Sequence, residues 1–299
     1  MVCQTTFPKQ LYTCKRKPEH ANGKNSAGLN ISMEIVGYIA AVFIGIVLGM
    51  MGGGGSILTV PVLVYLLHLD AITATTYSLF IVGVTSLTGG TRAYIKKQVD
   101  FKAVSEFGIP SIFSIFITRH FILPAIPEKL FSIGNIDLTR DTMLMVVFAF
   151  LMFTAAAFMI FNGDDENIEK PVSQERNSKI LPLALWGLVI GLITGILGAG
   201  GGFLIIPALV LFVKLPMRTA IGTSLVIIAI NSIFGFLFSL NQTQLDWKIL
   251  LLFTGLAIMG IYLGSLSAEK ISSKILKKIF GWFVLLMAIY ILIKELFLK

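Results

Sequence analysis

Residues 49–64 read GMMGGGGSILTVPVLV, and residues 195–210 read GILGAGGGFLIIPALV. A shift of 146 positions, without a gap, lays the first over the second, and Gly49, Gly52, Gly54, Gly55, Leu58, Pro61, Leu63 and Val64 each meet an identical residue. The register continues downstream. Thr73, Ala74, Ser78 and Leu79 fall on Thr219, Ala220, Ser224 and Leu225, and Asp100-Phe101-Lys102 falls on Asp246-Trp247-Lys248. Chance does not hold register from residue 49 to residue 102 at this level, so the chain is an internal duplication.

What surrounds the two glycine runs is almost wholly apolar. The 299 residues are 56% hydrophobic with a mean hydropathy of +0.86, and only 13% are charged, against about 25% in soluble domains. Ten apolar segments can be read: 34–51, 56–69, 73–92, 102–124, 142–161, 180–198, 203–214, 217–240, 247–266 and 276–298. Most approach the ~20 residues that cross a bilayer as a helix. Segments 56–69 and 203–214 are shorter; each follows a glycine run and contains a proline, Pro61 or Pro207. Helices are expected because lipid leaves only helices and closed barrels with a satisfied backbone, and no strand-like alternation is present.

The expected fold is therefore an all-α polytopic membrane protein with about ten hydrophobic segments and short broken helices after the glycine motifs. Residues 1–32 form a polar tail, 33–161 a first membrane repeat, 162–179 (NGDDENIEKPVSQERNSK) a polar linker, and 180–299 a second repeat. Five crossings per repeat is an odd number, so the two repeats must be inverted relative to each other, as in many secondary transporters. No signal peptide is expected, and Met33 reads as a natural start, which makes the tail a dispensable extension. Cys3 and Cys14, both in that tail, lack metal-ligand spacing and read as incidental.

The formal charge of +8 resides in loops and tails rather than on one amphipathic face. It reflects topology and headgroups, and nucleic acid is not an expected partner. The basic loops 92–102 and 269–278 share one side in a ten-span arrangement, which the charge bias makes cytoplasmic. The N-terminus is then outside, against the basic tail residues Lys9, Lys15, Arg16, Lys17 and Lys24.

Three readings compete for the glycine runs. A phosphate-binding loop fails, because Gly55 stands where its lysine is required. Close helix packing explains scattered glycines such as Gly187, Gly191 and Gly235. It explains four in a row poorly, because each glycine costs a helix about 1 kcal/mol relative to alanine. The preferred reading is a deliberate helix break, tolerable at membrane depth where the backbone lines a cavity. Ser56 would cap the helix that follows, and the exposed N–H groups would bind an anion. Gly52, Gly53, Gly54, Gly55 and Ser56 would face Gly198, Gly200, Gly201 and Gly202 around one substrate.

Hydroxyls support a polar cavity. Thr73, Thr76 and Tyr77 fall near one helical face, the repeat offers Thr219, Thr223 and Ser224, and Thr85-Ser86 and Asn231-Ser232 follow deeper in the same helices. The pairs Ser78/Ser224 and Thr85/Asn231 are the strongest candidates because they recur at equivalent positions. Bonding of each hydroxyl to its own helix is the competing explanation. Arg119 lies inside IFITRHFILP and either balances an anion or snorkels to headgroups. His120 is read as a passive interfacial histidine ahead of a proton-coupling one. No carboxylate pair, metal cluster or nucleophile–base pair is visible, so no enzyme activity, metal or cofactor is expected.

The two glycine–proline motifs, with ATTYSLFIVGVTSLTG and AIGTSLVIIAINSIFG after them, resemble the TauE/SafE family of membrane transporters over residues 33–298. The resemblance implies movement of sulfur-containing anions, such as sulfite or organosulfonates, across the cytoplasmic membrane, often outward. The expected function is a secondary transporter of such an anion by alternating access, with a passive anion channel as the alternative. Expected partners are the small anion, protons as coupling ion, the lipid bilayer and a second copy in a homodimer. Ala199 interrupts the second glycine run and the loop 124–141 is longer than its counterpart, so the half-sites need not be equal.

Overall fold

The computed structural model describes residues 25–127, 129–133, 136–161, 180–198, 200–213, 215–240, 245–267 and 273–297. Helix α1 (Asn25–Met51) starts inside the polar tail, upstream of the first apolar run. At the four glycines the α-helix ends, at Met51. Gly52–Leu58 winds on as a tighter 3₁₀ helix, and α2 (Thr59–Tyr65) continues from it. A 3₁₀ path eclipses side chains at i and i+3, which glycine tolerates because it has none. The path then folds back on itself. A Cβ added to Gly55 would lie 2.7 Å from the backbone N of Leu48, and one added to Gly37 would lie 3.0 Å from the end of the Leu67 side chain. The chain after the glycines thus returns alongside α1.

Ser56 is not the helix cap it was expected to be. It is buried within the 3₁₀ stretch, and the residue that precedes α2 is Leu58, which makes no side-chain capping bond. The second motif breaks its helix with a different geometry. Helix α7 (Ile180–Leu197) stops, and Gly198, Gly200 and Gly201 take left-handed φ values of +67°, +66° and +66°. Then α8 (Gly202–Ala208) begins and passes into a π-helical stretch, Leu209–Val213. Ala199 lies outside the described residues.

The long helices are α3 (Ala71–Ile95), α4 (Phe101–Ile117), α6 (Arg140–Phe161), α9 (Met217–Ser239), α10 (Trp247–Ser267) and α11 (Ser273–Phe297), and a short α5 (Leu123–Ala125) extends α4. Their boundaries lie close to the apolar segments read from the sequence. Asp side chains start three of them. Asp70 accepts from Thr73 N at 3.0 Å, Asp100 from Lys102 N at 3.0 Å, and Asp246 from Lys248 N at 3.0 Å. Among the described residues, five helices are long and apolar enough to cross a membrane. The all-α expectation needs one correction: β1 (Lys129–Ile133) and β2 (Ile136–Thr139) form an antiparallel hairpin in the long loop, with Ile133 opposite Ile136.

Helices pair across the two halves of the sequence: α1 packs on α10, α3 on α9, α4 on α7 and α6 on α11. Glycines make the contacts close and give their direction. Gly45 sits on Ala257 and Gly49 beside Ser265, so α1 and α10 run parallel; Gly187 on Phe107 and Gly191 on Ser111 make α4 and α7 parallel. Gly83 meets Ile233 while Gly90 meets Val226, so α3 and α9 run antiparallel. Two apolar cores result. One joins Leu48, Leu63, Phe148, Phe253 and Val284, and the other joins Val82, Phe107, Ile190, Ile205 and Ile228. Outward faces of α10 and α11 stay apolar and exposed, for example at Met259, Tyr262, Trp282 and Leu286, as a lipid-facing surface does.

Not all glycines are needed for contact. A Cβ on Gly255 would meet nothing within 4 Å, whereas one on Gly45 would run into the carbonyl of Ala257. Gly255→Ala is therefore expected to raise stability by up to about 1 kcal/mol through helix propensity. Gly45→Ala is expected to lower it. Thermal unfolding in detergent compares the two, and a lower melting point for Gly255→Ala contradicts the assignment of open space there.

Candidate functional site

The two glycine motifs come together where α3 crosses α9. A Cβ on Gly200 would lie 2.7 Å from Val82 Cγ1, 3.0 Å from Ile228 Cγ2 and 3.1 Å from Ser232 Oγ. Val82 and Ile228 stand near the midpoints of α3 and α9, so the left-handed turn enters the crossing itself. The 3₁₀ stretch Gly52–Leu58 packs on both α8 and α9. Glycine is required at 198 for two reasons at once. Its φ is left-handed, and a Cβ would lie 2.5 Å from both Thr75 Cβ and the Thr75 carbonyl oxygen.

Thr75 leads to the cation. Its hydroxyl donates to Ile72 O at 2.8 Å and accepts from Arg119 Nη1 at 3.2 Å. Arg119 has 0% exposure and is the largest fully buried side chain among the described residues. It does not snorkel to headgroups. Local helix geometry places it inward: Thr118–Ile122 is a π turn following α4, and the extra residue in such a turn changes which side chains face the bundle. His120, the next residue, is exposed and stacked on Phe116 with centroids 5.4 Å apart. Thr118 bonds Ser114 O at 2.8 Å, and Ser114 Oγ reaches across to Leu188 O at 2.7 Å, which ties the turn to α7.

The candidate hydroxyls divide. Thr85 donates to Ile81 O at 2.6 Å and Ser224 to Ile221 O at 2.8 Å, so both bond within their own helices, as Thr76 does to Ile72 O at 3.0 Å. Ser78 is fully buried and has no hydrogen-bond partner among the described residues. Asn231 donates from Nδ2 to Ser111 Oγ at 2.7 Å, and its Oδ1 has none. Ser86, Thr194 and Ser232 are likewise buried with open hydroxyls. Thr194 Oγ1 lies against Gly201, and Ser232 Oγ against Gly200. Gly202 opens α8, Gly55 packs on Leu48, and Gly52, Gly53 and Gly54 lie in the 3₁₀ stretch.

Sequence reading missed Thr75, Ser111 and Thr194. Thr75 has Ile221 as its repeat counterpart and Ser111 has Ala257, so a search for paired hydroxyls passes over both. The walls carry hydroxyls, one amide and a guanidinium, while the sequences of α3, α7, α8 and α9 contain no Asp or Glu. That chemistry suits a small anion: hydroxyls donate to oxyanions, and a buried guanidinium supplies charge and directed N–H groups.

Interrupted helices meeting at a buried cation inside a multi-pass helical bundle define a membrane transporter. Residues 38–291 match the family model described as sulfite exporter TauE/SafE, and the chain belongs to that family. A probable membrane transporter protein of Xylella fastidiosa is 28% identical over 265 residues, covering 83% of this chain and 91% of the relative. One of Methanocaldococcus jannaschii is 31% identical over 210 residues, covering 67% of this chain and 68% of the relative. A third, of Bacillus subtilis, is 26% identical over 256 residues, covering 79% and 90%. No solved structure matches the chain.

Proposed function

We propose that this protein is a secondary transporter that exports a small sulfur-containing anion, of the sulfite or organosulfonate class, across the cytoplasmic membrane. Alternating access between two inverted five-segment repeats moves the anion. The observation that carries this is Arg119, fully buried and held on Thr75 against the left-handed glycine turn. A charge at membrane depth is costly and is retained where it serves a pathway. Inversion is supported by the packing: α3 and α9, equivalent under the 146-residue shift, run antiparallel, and every cross-half pair maps onto a pair when the halves are exchanged. One bond repeats the relation in detail. Asp100 N donates to Thr223 Oγ1 at 3.0 Å, and Asp246 N to Tyr77 OH at 2.5 Å, each residue being the counterpart of the other.

Gly198, Gly200, Gly201, Ser78 and Asn231 line the proposed path with Arg119, and Gly52–Ser56 forms its opposite wall. Proton coupling and a homodimer belong to the same proposal. The test is sulfite efflux from proteoliposomes containing the full chain. Saturable flux is expected. Failure of sulfite, taurine and other sulfonates alike overturns the proposal, and unsaturating conductance replaces the carrier with a channel.

A further inference from the structure

The duplication assigns a counterpart to Arg119, and it is Ser265, a residue of α10 with no charge. The structure nevertheless puts a guanidinium there. Arg92, in the last turn of α3, reaches across to α10, and its Nη1 donates to Ser265 Oγ. The surroundings are equivalent too. Gly49 and Gly195 are repeat counterparts; a Cβ on Gly49 would lie 2.9 Å from Ser265 N, and one on Gly195 would lie 2.7 Å from Cβ of Thr118, the residue before Arg119. Each glycine motif therefore packs against a residue that holds an arginine, Gly49 against Ser265 with Arg92 and Gly198 against Thr75 with Arg119, although the two arginines come from non-equivalent positions on different helices.

The two cations are far apart. Arg119 is held by Thr75 near the start of α3, and Arg92 stands 17 residues further along the same helix, about 26 Å at 1.5 Å per residue. They also differ in exposure. Arg119 is fully buried, whereas Arg92 and Ser265 are partly exposed, and Arg92 is followed by the basic stretch Lys96-Lys97 that leaves the bundle.

We propose that Arg92, oriented by Ser265, is a second anion-binding station at the opposite mouth of the pathway, which receives the substrate on the face bearing residues 96–100 before it reaches Arg119. This rests on the reading that the chain carries a small oxyanion. A partly exposed arginine beside a glycine-lined, close-packed backbone can exchange its serine contact for an oxyanion and return to it. A fully buried one serves the occluded state. Stabilisation of the α3 C-terminus by a positive charge is the simpler role, and it would be insensitive to substrate and to the side of addition.

The experiment measures uptake of radiolabelled sulfite separately from each face, in right-side-out and inside-out vesicles, for the wild type and Arg92→Gln, Arg92→Lys and Ser265→Ala. Arg92→Gln is expected to raise KM about tenfold on the face bearing residues 96–100, with Vmax from that face within twofold of the wild type. Because detailed balance fixes the ratio of Vmax/KM in the two directions, it is expected to lower Vmax about tenfold from the other face, with KM there within twofold. Arg92→Lys, which keeps the charge and the helix-end stabilisation but loses the planar fork, is expected to lie in between. Should Arg92→Gln not fold, Ser265→Ala provides the reading, since it releases the guanidinium without removing it and is expected to shift KM on the same face only. Unchanged KM in the folded variants, with flux intact, overturns the second station and leaves the transport function standing. Absence of sulfite flux in the wild type from both faces overturns both.

Discussion

Arg119→Met is expected to abolish sulfite transport while leaving the protein folded and melting no lower than the wild type. The side chain is fully buried, and its Nη1 bonds Thr75 Oγ1 at 3.2 Å. Replacing the guanidinium by an apolar group of similar size removes its desolvation cost, which offsets the contacts that are lost with it. Binding of an anion responds in the opposite way. Truncating one partner of a buried hydrogen-bonded charge pair costs about 2–5 kcal/mol, which is at least about thirtyfold in affinity. Arg119→Lys keeps the charge but not the fork of donors, so a partial loss is expected. Efflux from proteoliposomes and thermal unfolding, measured on the same preparations, separate the two effects. Transport above a tenth of the wild-type rate in Arg119→Met would assign the arginine a structural role only.

Gly198→Ala is expected to be the most damaging of the small glycine substitutions. The left-handed φ of +67° costs an alanine roughly 1–2 kcal/mol. Its Cβ would also lie 2.5 Å from the carbonyl oxygen and from Cβ of Thr75, and backbone on a packed helix cannot retreat easily. A loss of about 3 kcal/mol or more follows, within the range of overpacked cores with added strain. Transport should fall further than stability alone accounts for, because Thr75 is the residue that holds Arg119. At Gly200 the nearest atoms are the ends of Val82, Ile228 and Ser232, although the +66° φ strains any side chain there. Melting curves of both variants, with residual efflux of the folded fraction, give the comparison. A Gly198→Ala protein that melts within a few degrees of the wild type would show that the turn is not held as closely as the structure indicates.

Where the helices run was largely legible in the chain, although among the described residues five helices, not ten, are long and apolar enough to cross a membrane. Apolar runs in lipid leave one solution for the backbone, so composition alone marks where helices run, and a gap-free 146-residue repeat marks which of them correspond. The glycine runs were legible as special, but not in what they do. GGGG at 52–55 tightens the helix into a 3₁₀ path, whereas GAGGG at 198–202 turns left-handed. Nearly the same residues take two conformations because glycine has little preference of its own, and the neighbours decide: Leu48 presses on Gly55, Thr75 on Gly198. Ser56 shows the same limit. A serine after glycines reads as a cap, yet packing placed the start of α2 beyond it.

The sequence by itself determined that this is a duplicated, multi-pass helical membrane protein, because hydropathy and repeat register are properties of the chain taken locally, and its glycine–proline motifs carried the resemblance to the TauE/SafE family. Only the tertiary structure decided which polar groups meet. Whether a hydroxyl bonds its own helix, as Thr85 and Ser224 do, or stays open, as Ser78 and Ser232 do, depends on what crosses it. Arg119 meets Thr75 from 44 residues away, and Arg92 meets Ser265 from 173. Those contacts are set by antiparallel and parallel helix crossings and by one π turn, and no periodicity along the chain encodes them.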